Sequence, residues 1–134
     1  MIIAVDFDGT IVTHEYPNIG TEVPYAIGTL RELIDNGNQI VLCTMRGHKE
    51  RDGRDLLQEA VDWLKERGVE LYGVNEEPFQ STWTDSPKPY AELYIDDSAL
   101  GCPQKIDEKL GIIVDWREIN NLFTKSGLIN TVWV

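Results

Sequence analysis

Apolar runs and helical stripes alternate along this chain. Ile2-Ile3-Ala4-Val5 is continuously apolar, the pattern of a strand buried on both faces of a parallel sheet. Pro24 then opens a stretch in which Ala26, Ile27, Leu30, Leu33 and Ile34 recur at helical spacing, closed by Asn36-Gly37. A second apolar run, Gln39 to Cys43, predicts a second strand. Leu57, Ala60, Val61 and Leu64 then line one face of a second helix ending at Arg67-Gly68. Val69 to Val74 reads as a third strand, Tyr90 to Ile95 as a fourth and Leu110 to Val114 as a fifth. A last helix follows from about Trp116 to Phe123.

Strand–helix alternation without repeats or a large insertion predicts one α/β domain over residues 1–134. It has three Rossmann-like layers around a central parallel sheet of about five strands. The irregular stretch Asn75 to Lys88 stands out, because long loops in compact domains usually carry function. The tail Leu128 to Val134 is apolar and β-prone. It packs back on the domain or pairs with another subunit in a homo-oligomer.

The polar residues gather where the apolar runs stop. The first run ends in Asp6-Phe7-Asp8-Gly9-Thr10, the second in Thr44-Met45-Arg46-Gly47, and the fourth in Asp96-Asp97-Ser98. Ligands of open α/β sheets bind outside the carboxyl ends of the strands. Asp6 and Asp8, two apart, can converge at a strand end, and Gly9 lets the backbone turn. Asp-Gly is also an ordinary turn former, so this stretch alone is compatible with a plain loop. Four converging carboxylates repel unless cations relieve them. A hard divalent ion such as Mg²⁺, which prefers oxygen ligands, is the natural answer. Thr44 offers a hydroxyl to a phosphate oxygen and Lys88 a positive charge, so together these residues make up an inventory for phosphoryl transfer.

Composition narrows the choices. A net charge of -11 argues against general nucleic-acid binding, though not against a small phosphorylated substrate. No apolar run is long enough to cross a bilayer, and Met1 leads straight into the first strand without a basic leader, so a cytoplasmic location is the default expectation. Two cysteines, Cys43 in an apolar run and Cys102 before a proline, are too few for a disulfide framework.

With these motifs in order, the chain resembles the haloacid dehalogenase (HAD) superfamily of phosphohydrolases. The residues that carry the resemblance are Asp6-Phe7-Asp8-Gly9-Thr10, the apolar strand ending in Thr44, Lys88, and Tyr94-Ile95-Asp96-Asp97. The resemblance implies Asp6 as nucleophile, Asp8 as general acid and base, and Lys88 as the cation near the nucleophile. It implies Mg²⁺ held by Asp6, the Asp8 backbone carbonyl, Asp96 and Asp97. Gly9, Thr10, Thr44, Met45 and Arg46 would surround the phosphoryl group. An acid two residues after the nucleophile goes with phosphatases and mutases in that family, not with dehalogenases.

The gaps Thr10 to Pro24 and Asn75 to Lys88 are too short for the family's cap domains, which implies a capless enzyme. The leaving group is not written in the sequence. Arg46 either contacts phosphate or pairs with Glu50 or Asp52. His14 either touches substrate or is solvated. Tyr16, Phe79 and Trp83 form a lipophilic rim or cover the core edge. Two rivals remain: a receiver-like binding switch, disfavoured because the third strand ends in Val74-Asn75 without an aspartate, and a catalytically silent HAD domain serving in assembly or regulation.

Overall fold

The computed structural model of the chain describes residues 1–49 and 52–130. The first strand, β1 (Ile2–Val5), pairs in parallel with β2 (Gln39–Leu42) on one side and with β4 (Leu93–Ile95) on the other. Beyond β2 lies β3 (Gly73–Val74), again parallel. The sheet therefore has four strands in the order β3-β2-β1-β4. Ile3, Ala4, Val5, Ile40, Val41 and Leu42 are all buried, so the two central strands are covered on both faces, as their unbroken apolar runs require.

Three helices supply the cover. In α1 (Ala26–Asp35) the stripe Ala26, Ile27, Leu30 and Leu33 is buried, and in α2 (Leu56–Glu66) Leu57, Ala60 and Leu64 join the same core. The Asp55 side chain accepts from the Gln58 N–H and so caps α2. The last helix, α3 (Trp116–Lys125), is capped in the same way by Asp115 and packs on α1. Its buried Trp116 donates through Nε1 to the Thr10 carbonyl at 2.7 Å, tying the C-terminal helix to the loop after β1.

Two expectations need correction. The expected fifth strand does form, as β6 (Gly111–Val114), but it does not extend the central sheet. It pairs antiparallel with β5 (Gln104–Asp107), which the apolar pattern did not announce. The tight connection around Asp107, which accepts from the Lys109 and Leu110 N–H groups, folds the two segments into a hairpin. The third strand is shorter than Val69 to Val74. Only Gly73 and Val74 pair with β2, because the preceding residues form the end of the α2 turn and an extended approach.

The start of the C-terminal tail packs on its own domain. Ile129 is buried, the Leu128 carbonyl accepts from Asn38 Nδ2, and the Asn130 N–H donates to Asn36 Oδ1. Residues 131–134 of the tail lie outside the described residues, as does Glu50. No helix among the described residues is long and apolar enough to cross a membrane.

Candidate metal and phosphoryl-transfer site

The chain steps outward from β1 to β2 and β3, then returns to the other side of β1 as β4. The carboxyl ends of β1 and β4 thus flank the point where strand order reverses, where open α/β sheets form a crevice. Asp6 follows β1 and donates its backbone N–H to the Ile95 carbonyl at 3.0 Å, which sets it level with the end of β4. Carboxylate oxygens of Asp6, Asp96 and Asp97 all lie within 4.8 Å of one another. Gly9, at φ 86°, turns the chain directly over this cluster, and a Cβ there would collide with the His14 ring and the Asp97 carboxylate.

Burial pushes the Asp6 carboxyl up to about 7, helped by its hydrogen bond with Asp97 and the charge of Asp96, while the Thr10 hydroxyl pulls the other way. Thr10 Oγ stands 3.0 Å from Asp6 Oδ2 and 3.0 Å from Asp97 Oδ1, and it also accepts the Asp97 N–H. One hydroxyl proton can serve only one of those two carboxylates. The other contact closes when a carboxyl proton is present, in keeping with the raised value at Asp6. Three hard oxygen donors crowded in this way suit a hard divalent cation, which would relieve the repulsion that otherwise recruits a proton.

Asp8 has a different environment. Its two oxygens accept from Arg46 Nε and Nη2, each at 2.8 Å, in a bidentate pair. The Arg46 side chain is 0% exposed. Its remaining donors reach the Leu56 carbonyl at the start of α2 and the Asn18 carbonyl in the loop after β1. Its guanidinium lies between the Phe7 and Tyr16 rings, 5.3 and 5.4 Å from their centroids. Arg46 thus pairs with Asp8, a partner that was not expected, and not with Asp52. Sequence reading missed this because the partners are 38 positions apart.

Thr44 lies in the same cleft. Its N–H donates to Asn75 Oδ1 at 2.8 Å, and its hydroxyl oxygen accepts the Arg46 N–H, leaving the hydroxyl proton to donate elsewhere. Asn75 is a site-building residue that the sequence did not single out, although its place after β3 was a signal. Gly9 and Thr10 do not aim backbone donors at a phosphate, because the turn consumes them: Gly9 N–H donates to the Val12 carbonyl and Thr10 N–H to the Phe7 carbonyl.

Lys88 is not brought to the carboxylates as expected. Its Nζ rests 5.0 Å from the Tyr94 ring centroid, and no ion pair among the described residues includes it. Pro87 and Pro89 bracket it, its carbonyl is held by Gln80 and its N–H by Ser86, so no helix carries the side chain toward the strand ends. Tyr94 precedes Asp96 by two residues, which leaves the ammonium beside β4 and outside the lining of the site cleft. His14 is largely exposed, with Nε2 3.5 Å from Asp97. Tyr16 lines the cleft, whereas Trp83 and Phe79 are exposed elsewhere, Trp83 edge-on to Tyr90. Both cysteines are free and half-buried.

Fold and site together define an α/β protein with a parallel four-stranded sheet and a cluster of three carboxylates at its carboxyl rim. No family model and no curated protein matches the chain. Among solved structures it is similar to a conserved protein coded by a locus of Bacteroides thetaiotaomicron, with 38% identity and a TM-score of 0.75 over 94% of this chain and 91% of that one. At that identity and coverage, the chain belongs to the same family as the Bacteroides protein.

Proposed function

We propose that the protein is a Mg²⁺-dependent phosphomonoester hydrolase of the HAD type. The observation that carries this reading is the gathering of Asp6, Asp96 and Asp97 at one strand-end crevice, with Asp8 held on the neighbouring side by Arg46. Asp6, Asp96 and Asp97 would hold the ion, whose positive charge would offset the repulsion between a carboxylate nucleophile and a phosphate.

On this reading an Asp6 oxygen attacks phosphorus, the bond from phosphorus to the leaving oxygen breaks, and an aspartyl-phosphate forms on Asp6. Asp8 gives its proton to the leaving alkoxide. It then takes a proton from the water that attacks the aspartyl-phosphate, releasing inorganic phosphate and restoring both carboxyl groups. The bidentate pair constrains this step. A protonated Asp8 accepts strongly only through its carbonyl oxygen, so carrying the proton weakens one of its two bonds to Arg46. Arg46 therefore fixes where Asp8 stands and turns it toward the cleft. The Thr44 hydroxyl donates to a phosphoryl oxygen, while Lys88, resting on Tyr94 outside the cleft, leaves the screening of the nucleophile to the divalent ion.

Phosphate release from p-nitrophenyl phosphate tests the reading. Release is expected in Mg²⁺, to be lost in excess chelator and to fall by a factor of about a thousand or more in Asp6→Asn, which removes the nucleophile. Undiminished release in that variant, or in chelator, would falsify the mechanism.

A further inference from the structure

The mouth of the site has its own chemistry. Met45 follows Thr44 directly and is 98% exposed, yet it lines the same cleft of about 410 Å³ as Asp6, Asp8 and Asp96. Its thioether therefore contributes almost nothing to the core. Tyr16 faces the same cleft with its ring half exposed, and its position is fixed. The Arg46 guanidinium backs the ring, and the loop that carries it is bound through the Asn18 carbonyl to Arg46. Arg54 adds two bonds to that loop, to the Pro17 carbonyl and to Asn18 Oδ1. A rigid aromatic ring and an adaptable thioether at the opening of an acidic cleft form an apolar contact surface for whatever protrudes from it.

The charges at the mouth point the same way. Among the described residues lining the cleft, the basic groups are Arg46, committed to Asp8, and His14, which stands beside Asp97. Four carboxylates line it as well. On the phosphohydrolase reading, a phosphoryl group would sit where a divalent ion balances it. A second anionic group on the leaving alcohol would instead meet carboxylates, with no free basic side chain among the described lining residues.

We propose that Tyr16 and Met45 select phosphomonoesters whose leaving alcohol is uncharged and presents an aromatic or flat apolar face. The assignment rests on the phosphohydrolase reading for the direction in which the leaving group points. It gives the chain a substrate-selecting wall built from its own strand-end loops.

Phosphonates separate recognition from turnover, because the carbon–phosphorus bond is not cleaved by phosphoester hydrolysis. Titration calorimetry in Mg²⁺ would compare benzylphosphonate, methylphosphonate and 4-carboxybenzylphosphonate. Benzylphosphonate is expected to bind about ten-fold more tightly than either of the others, the usual worth of a modest apolar contact. In the Tyr16→Ala/Met45→Ala double variant the benzyl-to-methyl preference should shrink by about the same factor. Equal affinities, tighter binding of the carboxylated compound, or a preference that survives both substitutions would overturn the proposal, as would failure of all three to bind. Phosphate release from p-nitrophenyl phosphate that Asp6→Asn abolishes would, in that last case, leave the hydrolase reading standing. The expected preference without any phosphate release from benzyl phosphate would instead overturn the hydrolase reading and keep the apolar wall.

Discussion

Asp6 and Asp8 are two residues apart on one turn, yet they occupy opposite electrostatic settings. Asp6 sits among carboxylates, its neighbours Asp96 and Asp97 contributed by the end of β4, and its carboxyl is pushed up to about 7. Asp8 is clasped by a fully buried guanidinium that reaches it from the loop after β2. The strand end thus separates a position that calls for an external cation from one that carries its own. Identical side chains next to each other acquire different chemistry from what the neighbouring strands deliver.

The strongest way to break that contrast is to remove the built-in cation. Arg46→Leu leaves Asp8 without its partner and removes a donor from the Leu56 and Asn18 carbonyls. Loss of one member of a buried pair costs about 3–5 kcal/mol, so the melting temperature is expected to fall by about 10 °C or more. Adding Asp8→Asn to Arg46→Leu should recover part of the loss, since the uncompensated charge is then gone. Thermal unfolding of the two variants checks this. A single variant that melts within about 2 °C of the parent would show that the pair carries little.

A second test addresses the Asp6 side. Its folded value of about 7 lies above the ordinary carboxylate value of 3.8, so the folded protein holds the proton more tightly than the unfolded chain. The stability from this group is fully present below the unfolded value and is lost as pH rises through the folded one. In chelator, the parent should therefore lose stability relative to Asp6→Asn, which cannot ionise, between about pH 4 and about pH 7. Mg²⁺ should narrow the gap at the upper end, because a bound cation replaces the proton. Melting curves of both proteins across that range, with and without Mg²⁺, would contradict this account if the difference stayed flat with pH.

How much of this was legible in the sequence differs between the two sides of the cleft. The carboxylates sit where apolar runs end, and run boundaries are local, so Asp6, Asp8, Asp96 and Asp97 could be placed at strand ends from the chain alone. The core was legible for the same reason: the stripes of α1 and α2 are buried as their periodicity requires. Pairing was not. Nothing near Arg46 signals Asp8, and nothing near Thr44 signals Asn75, because those bonds depend on how loops after different strands meet. The hairpin failed for a related reason. Gln104 to Asp107 is mostly polar and exposed, so apolar periodicity could not reveal that it would take β6 as its partner in place of the central sheet. Lys88 was placed by resemblance, while the prolines beside it and the Gln80 and Ser86 bonds set its backbone course.

The mildest perturbation concerns the one hydroxyl that joins the two sheet ends on the Asp6 side. Thr10 Oγ contacts Asp6 and Asp97 and accepts the Asp97 N–H, and the residue is fully buried. Thr10→Val keeps the shape and the Trp116 bond to the backbone carbonyl but leaves the Asp97 N–H and one carboxylate oxygen without their partner. A buried group stripped of its partner costs about 1–3 kcal/mol, and here water and a bound cation can reach the carboxylates, so the low end, about 1 kcal/mol, is expected. The melting temperature should drop by about 3–5 °C, well short of the Arg46→Leu effect. The Thr10 hydroxyl also pulls the Asp6 value down, so its removal should displace the pH-dependent loss of stability toward higher pH. A shift toward lower pH would mean that the hydroxyl does not stabilise the charged form of Asp6, and that Asp96 and Asp97 set its behaviour by themselves.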